Sequence, residues 1–208
     1  NAFDRLCTHF IGTGDEVICS TLSFQPLLES IVMRGGILKT IQPEMHGEYE
    51  INYHLQKIPE MITPMTKMIY LIHPTYIFGD TFHKDEFITI LKKIPSTIPI
   101  ILDECYYDYL SDDILTSKDY LQDLFIFGLR TFSKLYGLAS TRLGYILCDH
   151  RYKQIIYKSF PFKSISSDSI QKVTHHLMDT SAMQKMKREY LKEKIYLKNE
   201  LQKMNIPV

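Results

Sequence analysis

Short apolar runs alternate with helix-period segments over the first three-quarters of the chain. Residues 16–20, 37–41, 67–72, 98–102, 123–127 and 143–147 are too short for stable helices. Most are apolar without alternation, the pattern of strands covered on both faces. Between them lie helical stretches. Residues 1–11 place Phe3, Leu6, Cys7 and Phe10 on one face, as the end of a helix. Residues 25–34 read as a helix closed by Gly35-Gly36, and 83–93 as another. Gly12-Thr13-Gly14-Asp15 is a turn, as are Asp112-Asp113 and Asp149-His150. Residues 42–66 are polar and broken by Pro43, Gly47, Pro59 and Pro64, which predicts a connector with one short helix near 52–58.

After residue 150 the chain reads as helical, with one helix over 166–180 and a long one over 181–204. Met183, Met186, Tyr190, Leu197, Leu201 and Met204 recur along the latter at helical steps. The stripe is too short for a coiled coil, so it is expected to pack on its own domain, with the surrounding lysines in solvent.

Strands separated by helices predict an α/β fold, a three-layer α/β/α sandwich with a mostly parallel sheet. In such sheets ligands bind beyond the carboxyl ends of the strands. Asp103, which closes the run 98–102, and the turn 130–134 both fall at that edge. Gly144 lets the strand 143–147 start close to other backbone.

Composition narrows the classes. Lys plus Arg equals Asp plus Glu, 24 each in 208 residues, so no basic surface for nucleic acid is expected. No run is long and apolar enough to cross a membrane, and the first residues do not read as a signal peptide. Cys7, Cys19, Cys105 and Cys148 are widely spaced, which points to reduced thiols and a cytoplasmic setting; Cys19 and Cys148 read as small core residues. The eight histidines show no metal spacing, and neither a GxGxxG nor a P-loop motif occurs.

The block 130–145, Arg-Thr-Phe-Ser-Lys-Leu-Tyr-Gly-Leu-Ala-Ser-Thr-Arg-Leu-Gly-Tyr, carries the chemistry. Lys134 stands beside the hydroxyls of Thr131 and Ser133, and Arg142 follows eight residues on. A deprotonated lysine amine condenses with aldehydes, and burial or nearby positive charge would lower its pKa to that end. Two hydroxyls and a guanidinium suit a phosphate. Asp103 would hold the proton of a pyridine nitrogen, keeping the ring an electron sink. Together these parts point to pyridoxal phosphate. Tyr106 is placed to reach the ring hydroxyl, and Phe24 to stack on the ring. Each residue has a plainer reading: a surface lysine, turn-capping hydroxyls, a surface ion pair for Arg142, a turn acid at Asp103, and core aromatics at Tyr106 and Phe24. Arg130 is read as structural, and Glu104 as paired elsewhere.

The chain resembles the fold-type I pyridoxal phosphate-dependent aminotransferases, in particular the branch containing histidinol-phosphate aminotransferase. The likeness rests on Gly14-Asp15-Glu16-Val17 with Phe24 following, Asp103-Glu104-Cys105-Tyr106, and Arg130-Thr131-Phe132-Ser133-Lys134 through Arg142-Leu143-Gly144-Tyr145. The resemblance implies Lys134 as the Schiff-base lysine and proton shuttle, Asp103 on the pyridine nitrogen and Tyr106 on the ring oxygen. It implies Thr131, Ser133 and Arg142 around the phosphate, Phe24 on the ring, and an amino acid or amine substrate in a homodimer. One segment departs from the family pattern. An Asn-Pro-x-Asn-Pro-Thr-Gly loop is replaced by His73-Pro74-Thr75-Tyr76-Ile77-Phe78-Gly79, which puts Tyr76 where the second asparagine would meet the ring oxygen.

By the same resemblance, residues 1–180 are expected to form the cofactor-binding large domain lacking its N-terminal part. Residues 181–208 would be a long helix leading to a small domain outside this sequence. Three rival readings stay open: other chemistry on the same cofactor, such as decarboxylation or β-elimination; an aminotransferase-like sensor domain of a transcriptional regulator; and a fragment too incomplete to bind.

Overall fold

The computed structural model describes residues 2–46, 50–110, 114, 116–160 and 165–206. Helix α1 (Ala2–Phe10) leads through a turn with Gly14 at φ +86 into strand β1 (Glu16–Ser20). Helix α2 (Gln25–Val32) follows, then β2 (Ile37–Ile41). A hairpin of β3 (Glu44–His46) and β4 (Glu50–Asn52) precedes a 3-10 turn, Leu55–Lys57, and the short helix α3 (Ile58–Met61). Next come β5 (Thr66–Ile72), α4 (Lys84–Leu91), β6 (Ile100–Asp103) and β7 (Ile126–Thr131). Strand β8 (Gly144–Cys148) ends the sheet, and α5 (Lys153–Ser159), α6 (Ser167–Met178) and α7 (Thr180–Lys203) complete the chain.

The main sheet has six strands in the order β2-β1-β5-β6-β7-β8. All neighbours run parallel except β8, which is antiparallel to β7. One face buries Val17, Cys19, Met68, Tyr70, Ile101 and Phe127 with Phe3, Leu6 and Cys7 of α1 and Leu27, Leu28 and Ile31 of α2. The other buries Ile18, Ile69, Leu71, Ile100, Leu102 and Ile126 with Phe87, Ile90 and Leu91 of α4. Each such side chain contributes about 1.5–3 kcal/mol by leaving water. Burial on both faces is why the central strands read as unbroken apolar runs.

Strand order reverses between β1 and β5, because β1 leads outward to β2 and the chain then returns to β5 on the other side. The carboxyl ends flanking that reversal are the expected ligand crevice of an open α/β sheet. Phe24 caps α2 just after β1, and Tyr76 follows β5.

The structure corrects several sequence expectations. The strand expected over 123–127 runs from Ile126 to Thr131, so Arg130 and Thr131 belong to strand rather than turn. Arg130 is tolerated there because Glu104 neutralises it in the interior. The connector 42–66 holds a hairpin, and its helical part lies at 55–61 rather than 52–58. The stripe on α7 is not packed into a core. Among its described residues none is buried; Tyr190 meets the body with its ring 4.6 Å from that of Tyr109, and Leu191 and Lys194 line a cavity shared with the body. The Asp112-Asp113 turn and Gly47 lie outside the described residues. Gly144 behaves as expected, since a Cβ there would stand 2.5 Å from the Arg130 carbonyl oxygen. No helix among the described residues is long and apolar enough to cross a membrane, and none of their His, Cys, Asp and Glu side chains form a metal-binding group.

Candidate active site

Asp103 is the last residue of β6 and is only 7% exposed. Its Oδ2 accepts a hydrogen bond from the Tyr70 hydroxyl at 3.1 Å, and its Oδ1 accepts from the Cys105 backbone N–H at 3.1 Å. The second contact is the turn-acid role anticipated as an alternative; the first adds a buried donor from the neighbouring strand. Burial raises the Asp103 pKa above the usual carboxylate value, against the opposing pull of hydrogen bonds from Cys105 and Tyr70 and of the Lys134 charge.

Lys134 lies three residues beyond β7, in a turn closed by a Gly137 N–H to Lys134 carbonyl bond of 2.8 Å, with Gly137 at φ +66. Its Nζ stands 4.9 Å from the centre of the Tyr106 ring. The side chain is exposed, and its pKa is raised, first by a hydrogen bond with Tyr106. This reverses the expectation of a lowered amine. The hydrogen bond with Tyr106 outweighs the opposing effect of burial, and the other neighbours that act on it, Cys105 and Tyr109, also favour the charged amine; none of them is a cation.

Three aromatic rings continue the shelf beside this amine. Tyr106 and Tyr76 have ring centres 6.5 Å apart, and Tyr76 and Phe24 are 5.5 Å apart, near edge-on. Phe24 is 41% exposed and Tyr76 39%, so neither is a core aromatic. The loop bearing Tyr76 is tightly organised. The Tyr53 hydroxyl lies within hydrogen-bond distance of Thr75 Oγ1 and Asp80 Oδ2, at 3.0 Å each, and the Thr75 N–H donates to the Asp80 carbonyl at 2.8 Å. The departure from the family pattern is therefore a built turn that presents Tyr76, Ile77 and Phe78 to solvent.

Thr131 ends β7, and its Oγ1 accepts from the Ser133 N–H at 3.1 Å, so it does cap the turn. Register brings Arg142 back to the same place: Thr131 pairs with Gly144, and the Phe132 N–H donates to the Leu143 carbonyl at 3.3 Å. Arg142 is exposed in the left-handed region at φ 52, and its Nη1 donates to the Ala139 carbonyl at 3.3 Å. Among the described residues its guanidinium has no carboxylate partner, so the surface ion pair weighed for it is absent.

Behind the edge lies a buried ion pair. Arg130 Nε is 2.8 Å from Glu104 Oε2, and the Ser117 hydroxyl donates to the same oxygen at 2.8 Å. The Arg130 guanidinium stacks 3.6 Å from the centre of the Tyr107 ring. A Cβ on Gly128 would collide with Ser117, so glycine is required for this packing. Both expectations, a structural Arg130 and a Glu104 paired away from the site, agree with this geometry.

Sequence reasoning missed Tyr70, Cys105 and Tyr53. Tyr70 reads as a core aromatic in an apolar run, and its hydroxyl acquires a partner only once β5 and β6 are in register, with Tyr70 opposite Ile101. A cavity of about 860 Å³ opens nearby, lined by Tyr53, His54, Asp80, His83, Tyr109 and Lys194. None of the eight residues singled out from the sequence lines it. They stand instead along the open carboxyl edge of the sheet.

Comparison with known proteins agrees with this geometry. The family model described as aminotransferase class I and II matches residues 2–208. A histidinol-phosphate aminotransferase 2 from Oceanobacillus iheyensis is 29% identical over 204 residues, covering 96% of this chain and 54% of the relative. Histidinol-phosphate aminotransferase from Sinorhizobium meliloti, solved in complex with pyridoxal-5'-phosphate, superposes with a TM-score of 0.80 at 21% identity over 90% of this chain and 50% of that one. Cystalysin from Treponema denticola, which contains a pyridoxal 5'-phosphate cofactor, gives 0.82 at 15% identity over 97% and 54%. The chain spans about half the length of the relatives it matches. With the acid-ended strand, the lysine turn and the sheet order all in place, the match over residues 2–208 shows that the chain belongs to the class I and II aminotransferase family.

Proposed function

We propose that this chain is the core of a pyridoxal phosphate-dependent aminotransferase that moves an amino group between an amino acid or amine and a 2-oxo acid. One observation carries the reading: Asp103, closing β6, and Lys134, in the turn after the neighbouring parallel strand β7, lie at the same carboxyl edge of the sheet, beside a shelf of exposed aromatic rings. The donor set fits the cofactor. It offers an accessible amine, a buried acid with part of its hydrogen-bonding capacity left, exposed ring faces, and a guanidinium without a carboxylate partner next to two hydroxyls.

When bound, the cofactor supplies an electron sink for the bond broken at the substrate's α carbon. Lys134 would hold the aldehyde through its amine and then carry a proton between the α carbon and C4′, as base and then as acid. Its raised amine pKa leaves the free lysine protonated at neutral pH, so the proton must leave as the aldehyde is taken up. Asp103 would hold a proton at the ring nitrogen, and Tyr106 would donate to the ring oxygen. Tyr76 stands one ring further along the shelf, 6.5 Å from Tyr106 between ring centres. Phe24 would cover the ring face, and Thr131, Ser133 and Arg142 would grip the phosphate.

In this reading residues 1–180 are the cofactor-carrying body and 181–208 the helix leading out of it. The exposed site edge and the unburied α7 suit a homodimer of longer chains. Four unpaired cysteines suit a cytoplasmic setting.

The Tyr76 turn favours one alternative, decarboxylation or elimination on the same cofactor. The fold does not choose, since it is shared with proteins named both histidinol-phosphate aminotransferase and cystalysin. Incubating the full-length protein with single amino acids, 2-oxoglutarate and pyridoxal phosphate separates the two. Glutamate formed in step with loss of the donor is the expected result. Carbon dioxide or ammonia released without glutamate would replace the transaminase reading.

A further inference from the structure

We propose that Tyr70 is a positioning residue for this site: from the adjacent strand its hydroxyl fixes the Asp103 carboxyl as a hydrogen-bond acceptor facing the cofactor's ring nitrogen. The proposal rests on the role given to Asp103 above. Tyr70 is fully buried, and its ring packs 4.6 Å from that of Phe3. Its partner across the sheet is Ile101, two residues before Asp103 on β6, so the Tyr70 and Asp103 side chains share one face of the sheet. A side chain long enough to reach two residues along the strand arrives at Oδ2, at 3.1 Å.

Oδ1 is held separately by the Cys105 backbone N–H at 3.1 Å. Two donors from different elements therefore fix both the position and the plane of the carboxyl before any ligand arrives. The arrangement answers a physical problem. Burial favours the neutral acid, which presents a proton where an acceptor is needed. The groups facing Asp103 are Tyr70 from β5, Cys105 from its own loop and Lys134 from the turn after β7, and each favours the ionised carboxyl. Tyr70 itself is faced by Asp103, Cys105 and Cys19, and with burial these hold its hydroxyl protonated, so it remains a donor.

The test uses the full-length protein, its Tyr70→Phe variant, and two probes: pyridoxal phosphate and the 1-deaza analogue, in which the ring nitrogen is replaced by carbon. Phenylalanine keeps the ring that packs on Phe3. The expected result is about a tenfold loss of affinity for pyridoxal phosphate, the worth of one hydrogen bond to a charged group. Affinity for the analogue should not change. Equal losses for both would mean a structural role and would overturn the proposal, as would no change for either. A second arm needs no cofactor: the carboxyl carbon of Asp103 is titrated by NMR in both proteins, with Asp103→Asn assigning the signal. Its midpoint should move to higher pH in Tyr70→Phe, and an unmoved midpoint overturns the proposal. If the wild type fails to distinguish the two probes, the role of Asp103 falls, and the titration still decides whether Tyr70 governs that carboxyl.

Discussion

Lys134→Ala is expected to remove the visible absorbance band that pyridoxal phosphate acquires on joining a lysine and to lower transamination at least about 10²–10⁴-fold, the usual worth of a positioned proton-transfer group. Alanine removes both the amine that takes the aldehyde and the group that carries the proton. The fold should survive, because Lys134 is exposed and its side chain lies over the face of Tyr106. Its backbone stays committed to the Gly137 turn, which alanine does not disturb. An unchanged circular dichroism spectrum beside a lost band isolates the chemistry from folding. A variant that keeps both band and turnover would remove Lys134 from the mechanism and move attention to another lysine.

Arg130→Met should have the largest effect on stability. Glu104 is 1% exposed, and its carboxylate is balanced by Arg130 at 2.8 Å. Methionine roughly fills the same length but leaves a buried, uncompensated charge, a loss of about 3–5 kcal/mol. Urea unfolding would show it as a lower midpoint. Adding Glu104→Gln to the variant should recover part of the loss, since no charge then remains in the interior. Recovery will be incomplete, because Ser117 depends on both Glu104 oxygens. A cost for Arg130→Met below about 1 kcal/mol, the value of a solvent-exposed pair, would contradict the buried role. Glu104 directly follows Asp103, so the same variant should also weaken cofactor binding by loosening the end of β6.

These two residues show why parts of the molecule were legible in the sequence and others were not. β1, β5 and β6 lie inside a parallel sheet, and their apolar runs state burial on both faces directly. The pattern alone ends β7 at 127, because Gly128 and Arg130 interrupt its apolar run. Glycine is needed there to clear Ser117, and arginine is buried by a partner 26 residues away. Such a pairing follows from three-dimensional packing, not from local pattern. The β3–β4 hairpin has no strong alternation and read as connector. The stripe on α7 gave the correct helix but the wrong surroundings, since periodicity shows which residues share a face and not what that face meets.

The site divides the same way. Asp103 and Lys134 were visible because a charge closing an apolar run and a lysine among hydroxyls both stand out at strand ends. Phe24 and Tyr76 fell where the strand order reverses, and the structure puts their rings side by side. Tyr70 was hidden because a tyrosine in an apolar strand looks like packing until the register supplies its acceptor. The ionisation state of Lys134 was also beyond the sequence, since it depends on exposure and on the approach of Tyr106.

The proposed chemistry begins with a covalent bond between one side chain and the cofactor's aldehyde carbon. Reducing the full-length protein with borohydride in the presence of pyridoxal phosphate makes that bond permanent, and peptide mass spectrometry then locates it. A phosphopyridoxyl group is expected on the peptide containing Lys134 and should be absent from Lys134→Ala. A label confined to other lysines, or none with the cofactor in excess, would contradict it.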